Sequence, residues 1–429
     1  MDGRSLSRAP SRYALLILLG FAALALSYSL ATRLKYGPDE PAHFIYIRSL
    51  ATELAPPPIS HAVTPDENST SSHEGHQPPL YYAIMAVPFA LLRAFGASDD
   101  TIWRVLRLAN IPIGMLWIWS VYLLAREFFG KNGHAFATAA FVALIPTSAY
   151  TAGVINNENL ISLVFTWAMI PILAYFKSGA MAPRSAAFTG LVVGLAILSK
   201  AQGLVLIPLF ALAALAVSRR SGYANYRQVL ATFAIVVGAA ATVSGWWFAR
   251  CWIVYGTLMP HSLYNPAIPG GLIALAVSPA LAAELVFRMT EGLYGYFWVP
   301  FWLVWPFVGS LRPIVYSIGA LNLVVLAGLV ARIRRHNGVD RSSLAFVLAA
   351  PAIIYVLWLR YILVVDAMAN LQGRLFLSVA AVVGMVWILG FDGLLKSNRA
   401  KRAGLVVGLV VMLAANVAVI ACAVALYAS

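Results

Sequence analysis

Long apolar segments recur along the whole chain, separated by short polar connections. The segments are continuously apolar rather than alternating between apolar and polar residues, which predicts membrane-spanning helices and argues against a β-barrel. The sequence therefore predicts an all-α polytopic membrane protein in which residues 1–429 form a single integral membrane domain. The eleven predicted spans are 13–31, 103–125, 135–152, 159–176, 186–200, 203–217, 229–250, 314–331, 343–365, 375–391 and 404–427.

Composition agrees with this class, since 61% of the residues are hydrophobic and 11% are charged. The net charge of +14 raises nucleic acid as a partner, but the basic residues cluster in short connections, so we predict membrane orientation and no nucleic acid. Six pieces predicted to be cytoplasmic hold 18 of the 30 Lys and Arg residues and 4 of the 16 acids. They are residues 1–12, 126–134, 177–185, 218–228, 332–342 and 392–402.

Two further apolar stretches, 79–95 and 294–308, could also be counted as spans. Counting either one alone would place later basic clusters outside, so we predict that both are interfacial or re-entrant on the outer side. This leaves two large outer loops, 32–102 and 251–313, which are too long for simple connectors and are expected to carry function. The first is predicted to contain two interfacial helices, 39–54 and 79–95.

The ends of the chain carry two expectations. The first apolar segment follows three arginines and resembles a secretory signal, but its length and the many later spans favour an uncleaved helix. No soluble carboxy-terminal domain is expected after Ala403.

Cys251 and Cys422 are the two cysteines, so the sequence offers neither a disulfide framework nor a thiolate metal cluster.

Adjacent carboxylates, Asp39 and Glu40, follow the first span, and His43 lies one helical turn further on. In one interpretation Asp39 caps a helix and Glu40 favours its dipole. In the other, the spacings of three and four residues direct all three side chains into one space, where they serve a chemical role. Charge beside lipid is costly to place, which favours a function, and capping and catalysis are compatible.

Other polar groups fall on the same predicted outer side, and each has a plain alternative. Four histidines, His43, His61, His73 and His76, raise a zinc site, although no helical His-x-x-x-His frame is present. The segment NNENL at 156–160 either caps a helix or supplies a second carboxylate. Three outer segments each carry a cation: Lys200, Arg250 and Arg374. These side chains either extend to water and lipid headgroups or together form an anion-binding site.

The order of these segments carries a resemblance to a known family. An Asp-Glu pair after the first helix is followed by a surface element, a polar island, a Ser-Lys-x-x-Gly hairpin, a Trp-x-x-Arg-x-Trp-x-x-Tyr-Gly segment and a late Gln-Gly-Arg. They lie at 39–40, 76–82 (HQPPLYY), 156–160, 199–203, 247–256 and 372–374. This pattern resembles the GT-C superfamily of membrane glycosyltransferases, in the bacterial branch related to protein mannosyltransferases and lipid A aminoarabinose transferases. The likeness covers residues 1–260 well and the remainder loosely.

The resemblance implies an inverting transferase in a bacterial plasma membrane. It would move a sugar, a hexose or a pentose, from a polyprenyl-phosphate donor to an acceptor on the outer face, and we expect a lipid-linked or envelope glycan. By the family pattern Asp39 is the general base, with Glu40 as its helper. Lys200, Arg250 and Arg374 would hold the lipid phosphate. Superfamily members differ in metal dependence, so Mg or Mn on Asp39 and Glu158 is left open. The other predicted substrate-binding residues are His43, His76, Gln77, Tyr81, Asn157, Glu158, Gln202, Tyr255 and Gln372.

Two other classes of function are alternatives to a transferase. A transporter or flippase of a lipid-linked substrate would also need many helices and outer cations, but the sequence shows neither matching halves nor charges in the middle of a span. A noncatalytic membrane scaffold does not explain several polar segments that face one side. The expected partners are therefore the lipid-linked donor, a glycan or lipid acceptor, and membrane lipids.

Overall fold

The computed structural model describes residues 12–59, 73–221, 225–260, 278–300, 308–335, 340–364, 373–395 and 397–428, and these ranges contain helices and no strands. The first ten α-helices are α1 (Arg12–Ala31), α2 (Glu40–Glu53), α3 (Leu80–Ala94), α4 (Asp99–Phe129), α5 (Asn132–Ala143), α6 (Pro146–Ala152), α7 (Glu158–Ser178), α8 (Pro183–Ser199), α9 (Leu206–Arg220) and α10 (Tyr226–Tyr255). The others are α11 (Pro279–Met289), α12 (Tyr296–Trp298), α13 (Val308–Arg334), α14 (Arg341–Val364), α15 (Ala380–Leu394) and α16 (Asn398–Ala428). Short 3-10 turns occupy His73–His76, Ala201–Val205 and Gly373–Val379, and a π-helical turn occupies Thr290–Gly295.

Nine helices in the described ranges are long and apolar enough to cross a bilayer, and a bent pair makes a tenth. The bent pair is α5 and α6, which meet at an angle of 69°, so the predicted continuous span 135–152 is broken. Pro146 stands at the first turn of α6, where its missing N–H cannot continue the hydrogen bonding of α5. The remaining predicted span, 186–200, corresponds to α8, an apolar helix of 17 residues that is too short to be counted among these nine.

Polar segments collect at one end of this helical bundle. The turn before α2, the start of α7, the turn after α8 and the 3-10 turn Gly373–Val379 are joined there by ion pairs and hydrogen bonds. The basic connections meet at the opposite end, where His134, Arg332 and Lys401 all approach Asp392. The structure thus separates the two sets of connections as the charge pattern predicts.

An aromatic layer fixes the two helices of the first large loop against the bundle. Phe44 of α2 stacks on Trp103 of α4 at 4.2 Å between ring centroids, and Tyr46 stacks on Tyr82 of α3 at 3.8 Å. Buried aromatic pairs of this kind add to the free energy gained from burial itself. Helices are therefore present in both segments where interfacial helices were predicted, 39–54 and 79–95.

The second large loop is described in part. Helix α11, at Pro279–Met289, lies ahead of the predicted apolar stretch 294–308, whose described residues form the end of a π-helical turn, α12 and the start of α13. Residues 301–307 lie outside the described ranges. Trp298 of α12 packs in the main core, with its ring centroid 5.9 Å from that of Trp387 on α15.

Candidate active site

Asp39 and Arg374 form an ion pair at the polar end of the bundle. Asp39 precedes α2 with φ of 57°, a left-handed conformation that aspartate tolerates better than most residues, and its side chain makes no capping hydrogen bond. The capping interpretation is therefore wrong for its carboxylate, which instead faces a cation 335 residues away. About a third of the Asp39 side chain stays exposed (34%), whereas that of Arg374 is 11% exposed.

Glu40 points in another direction, into the protein. Its side chain is fully buried and forms a bidentate ion pair with Arg107 of α4, at 2.7 Å from Nε and 2.6 Å from Nη2. The same carboxylate accepts hydrogen bonds from the backbone N–H groups of Gly37 and Ile155, both at 3.0 Å. Since its oxygens are used internally, Glu40 positions the turn that carries Asp39 and does not present a carboxylate to an acceptor.

Glu158 begins α7 and pairs with Lys200, with 2.5 Å between Nζ and Oε1. The helix start is organised by Asn156, whose Oδ1 accepts a hydrogen bond from the Glu158 N–H at 2.9 Å. Arg374 interacts electrostatically with Glu158 as well as with Asp39. The polar island and the cationic hairpin predicted from sequence therefore belong to the same site as Asp39.

His43 lies among these charges without carrying one itself. Burial lowers the pKa of its imidazole from 6.5 to about 4, and the carboxylates of Glu74 and Asp39 only partly oppose this effect. Its Nδ1 lies 2.9 Å from the Tyr82 hydroxyl, which donates to Glu74 at 3.3 Å. The Asn157 amide reaches the same hydroxyl at 3.5 Å. Neutral His43 is thus one member of a hydrogen-bonded network.

Several residues predicted to bind substrate instead make hydrogen bonds that support the site. The Tyr81 hydroxyl accepts the Asn156 N–H at 3.1 Å, and Tyr46 donates to the carbonyl of Gln77 at 3.0 Å. Gln77 Nε2 lies 3.1 Å from a ring nitrogen of His76. These contacts fasten the start of α3 to α2 and to the polar island, so these residues position neighbouring groups.

Gln202, also predicted to bind substrate, likewise supports the site through hydrogen bonds. Its side-chain amide donates to the carbonyl of Leu375 at 2.7 Å and to the Ser378 hydroxyl at 2.9 Å. The hairpin after α8 is thereby tied to the turn that carries Arg374. Gln372, the neighbour predicted to bind substrate, lies outside the described residues.

Arg250, near the end of α10, has a buried hydrogen-bond donor without a partner. Its guanidinium lies over the rings of Trp247 and Tyr255, at 5.2 and 5.8 Å from their centroids, and its buried Nη1 has no hydrogen-bond partner. Helix α10 ends directly after Tyr255, at Gly256, whose φ of 69° suits a residue without a side chain. A guanidinium held by two aromatic faces with a free donor can donate a hydrogen bond to a phosphate oxygen.

The described residues do not fit a divalent metal site. No group of three or more His, Cys, Asp and Glu side chains in these ranges could hold an ion, and His61 lies outside them. Asp39 and Glu158, the two predicted ligands, each face a cation instead.

Three buried groups of the site were missed by sequence analysis. From the sequence, Arg107 is a cation near the start of a predicted span, and Tyr82 is an aromatic residue at the membrane interface. Glu74 belongs to a polar loop rich in histidine. Arg107 had one available signal, because a charge inside a predicted span normally has a specific partner. Nothing in the sequence identifies that partner as Glu40, which lies 67 residues earlier.

Comparison with known proteins adds a family match. The model of the family described as dolichyl-phosphate-mannose-protein mannosyltransferase matches residues 76–247, which make up less than half of the chain and include Glu158 and Lys200 but not Asp39, Arg250 or Arg374. A comparison with curated proteins finds no match.

Solved structures are similar to the chain at low sequence identity. The archaeal oligosaccharyltransferase AglB from Archaeoglobus fulgidus, solved with an inhibitory peptide and a dolichol-phosphate, is 16% identical with a TM-score of 0.53, over 96% of this chain and 56% of AglB. The arabinosyltransferase EmbB from Mycobacterium smegmatis is 13% identical with a TM-score of 0.50, over 93% of this chain and 33% of EmbB. ArnT from Cupriavidus metallidurans is 16% identical with a TM-score of 0.41, over 90% of this chain and 78% of ArnT.

The chain thus spans about half of AglB and a third of EmbB, and the likeness to these two proteins shows a common fold. The family match covers the surface element, the polar island, the hairpin and most of α10, and it ends before Arg250. The chain is therefore similar to the dolichyl-phosphate-mannose-protein mannosyltransferase family over residues 76–247, and it shares the fold of AglB and EmbB.

Proposed function

We propose that this protein is an inverting glycosyltransferase that transfers a sugar from a polyprenyl-phosphate donor to a lipid-linked or envelope glycan on the outer face of a bacterial plasma membrane. The observation that carries the proposal is the Asp39 carboxylate, which is partly exposed beside Arg374 and shares one end of the bundle with Lys200 and Arg250. The family match and the dolichol-phosphate found with AglB support a lipid-linked donor.

Asp39 has the placement that a general base requires. Its side chain is 34% exposed, and Arg374 orients it through a charge-assisted hydrogen bond. We infer that Asp39 removes the proton from the acceptor hydroxyl. The hydroxyl oxygen forms a bond to the anomeric carbon from the face opposite the phosphate, the bond from that carbon to the phosphate oxygen breaks, and the electron pair leaves with the phosphate. Attack from the opposite face inverts the configuration of the sugar.

The departing polyprenyl phosphate carries negative charge that three cations can stabilise. Arg250 offers its unpartnered Nη1, and Lys200 and Arg374 already face carboxylates at the same end of the protein. Fixed positive groups stabilise a developing anion more effectively than water does, because they need little reorganisation during the reaction. A phosphate leaving group stabilised in this way needs no general acid.

The proposal is tested by transfer in reconstituted membranes. Wild-type protein in proteoliposomes is given radiolabelled polyprenyl-phosphate hexoses and pentoses together with envelope glycolipids, and labelled product is measured. Replacing Asp39 by Asn should lower the rate by about 100-fold or more. Asp99→Asn is the matched control, because Asp99 is an exposed carboxylate at the start of α4 that pairs with Arg93.

Two results would contradict the proposal. Transfer that survives unchanged in Asp39→Asn would remove this residue from the chemistry. Movement of labelled lipid between leaflets without any sugar transfer would instead support a flippase, the alternative that the sequence leaves open.

A further inference from the structure

A cavity of about 350 Å³ lies at the end of the bundle opposite Asp39. It is bounded by the last turn of α7, the connection to α8, the last turn of α9 and the first turn of α10. We call it the basal cavity. Its described lining includes Lys177 and Arg220 and contains no Asp or Glu. It is thus separate from the candidate active site in position and in residues.

The charge of the basal cavity is positive. Lys177 is shared with α4, because its Nζ donates to the Glu127 carbonyl at 2.6 Å and lies 3.6 Å from the Glu127 carboxylate. Arg220 is held over the Phe176 ring at 4.7 Å, and no carboxylate within the described ranges pairs with it. An anion entering the cavity would therefore meet a fixed guanidinium whose charge is not already neutralised.

A buried hydroxyl in the wall provides a second, independent indication. Tyr175 is 2% exposed, its ring stacks on Phe210 at 5.4 Å, and its hydroxyl has no hydrogen-bond partner. A buried polar group without a partner is unfavourable unless another oxygen or nitrogen comes to satisfy it. In the wall of a cationic cavity, that group is well suited to an anionic oxygen.

The remaining walls fit the same kind of ligand. Asn225, which precedes the 30-residue helix α10, and Gln228, in its opening turn, line one side, where the backbone N–H groups and the helix dipole favour negative charge. Met181, Val217 and Val229 form an apolar side. This combination matches a phosphate ester attached to a short apolar group.

We propose that the basal cavity binds a phosphate-bearing anion, with the phosphodiester headgroup of an anionic membrane phospholipid as its ligand. A soluble phosphate ester has the same chemistry and is the other source to be tested. The cavity adjoins the far ends of α7 and α10, which carry Glu158 and Arg250 at their opposite ends. Binding is therefore expected to hold these two helices together.

The test uses full-length protein in nanodiscs of phosphatidylcholine with a small fraction of phosphatidylglycerol. Native mass spectrometry after release from the disc counts the phosphatidylglycerol molecules that stay bound. In a second arm, detergent-solubilised protein is titrated calorimetrically with glycerol 3-phosphate. The variants are Tyr175→Phe, which removes only the hydroxyl, and Arg220→Gln. Arg219→Gln is the matched control, since it removes the same charge from the neighbouring residue, which does not line the cavity.

Wild type and Arg219→Gln should retain phosphatidylglycerol, and Tyr175→Phe and Arg220→Gln should each bind it about tenfold more weakly. The same pattern seen with glycerol 3-phosphate, without retention of phosphatidylglycerol, would identify the soluble ester as the ligand. The proposal is overturned if neither probe binds, if Tyr175→Phe binds like wild type, or if Arg219→Gln loses as much affinity as Arg220→Gln. Thermal unfolding of each variant checks that it is folded.

Discussion

Glu40 and Arg107 form a fully buried bidentate ion pair directly beside the partly exposed Asp39, so two adjacent carboxylates of the chain have opposite environments. Arg107 also donates to the carbonyls of Ser29, Thr32 and Arg33 at 3.1, 2.7 and 3.0 Å, which fixes the chain between α1 and α2. The pair therefore determines where Asp39 stands.

We expect that breaking this pair destabilises the protein strongly. Arg107→Met leaves Glu40 buried without its cation, and the free energy of unfolding should fall by about 3–5 kcal/mol. The double variant Glu40→Leu with Arg107→Met should recover much of that loss, because no isolated charge remains. Unfolding in detergent measures the change, and Arg93→Met at an exposed pair should cost at most about 1 kcal/mol. Equal stability of the Arg107 variant and wild type would contradict this assignment.

Gly373 sets the position of Arg374. A Cβ added at Gly373 would collide with backbone atoms of Leu293 and Phe297, so Gly373→Ala must move the 3-10 turn and its arginine. A displacement of about 1 Å in a catalytic group can cost about 100-fold in rate, and we expect a loss of kcat of that order with the protein still folded. Gly238→Ala is the control, since no atom lies within 4 Å of the added carbon. Wild-type kcat in the Gly373 variant would show that the turn has no such role.

Acid should destabilise the folded protein through His43. Burial lowers the pKa of its imidazole from 6.5 to about 4, so between these values the unfolded chain takes up a proton that the folded protein does not. Stability should therefore decrease as the pH falls through this interval, by up to about 3 kcal/mol. His43→Gln should remove this part of the acid sensitivity when unfolding is followed from pH 7 to pH 4.5. His134→Gln, at the other end of the bundle, should retain it, and identical pH profiles for the two variants would refute the prediction.

We further expect sugar transfer to be independent of divalent ions. Both predicted metal ligands are engaged by cations, Asp39 by Arg374 and Glu158 by Lys200. Transfer by wild-type protein in proteoliposomes should proceed unchanged after treatment with EDTA. A loss of activity that Mg or Mn restores would show that one of these ion pairs opens to bind metal during the reaction.

The fold class was predictable because hydropathy and charge are local properties of the chain. Each long apolar run must find its backbone hydrogen bonds within itself in a bilayer, so its length alone predicts a helix. The helices of 39–54 and 79–95 followed from the same pattern. The break between α5 and α6 required knowledge of how Pro146 would be accommodated, and periodicity does not supply that.

The sequence by itself also selected most of the site, since Asp39, Glu158, Lys200, Arg250 and Arg374 stand in the polar ends of apolar segments. Only the tertiary structure decided their partners, because the contacts join residues 335, 67 and 42 positions apart, in Asp39–Arg374, Glu40–Arg107 and Glu158–Lys200. It also distinguished the two neighbouring carboxylates. Asp39 and Glu40 have nearly the same chemistry, and the packing of α4 against the turn before α2 buries one of them in an ion pair while the other stays partly exposed.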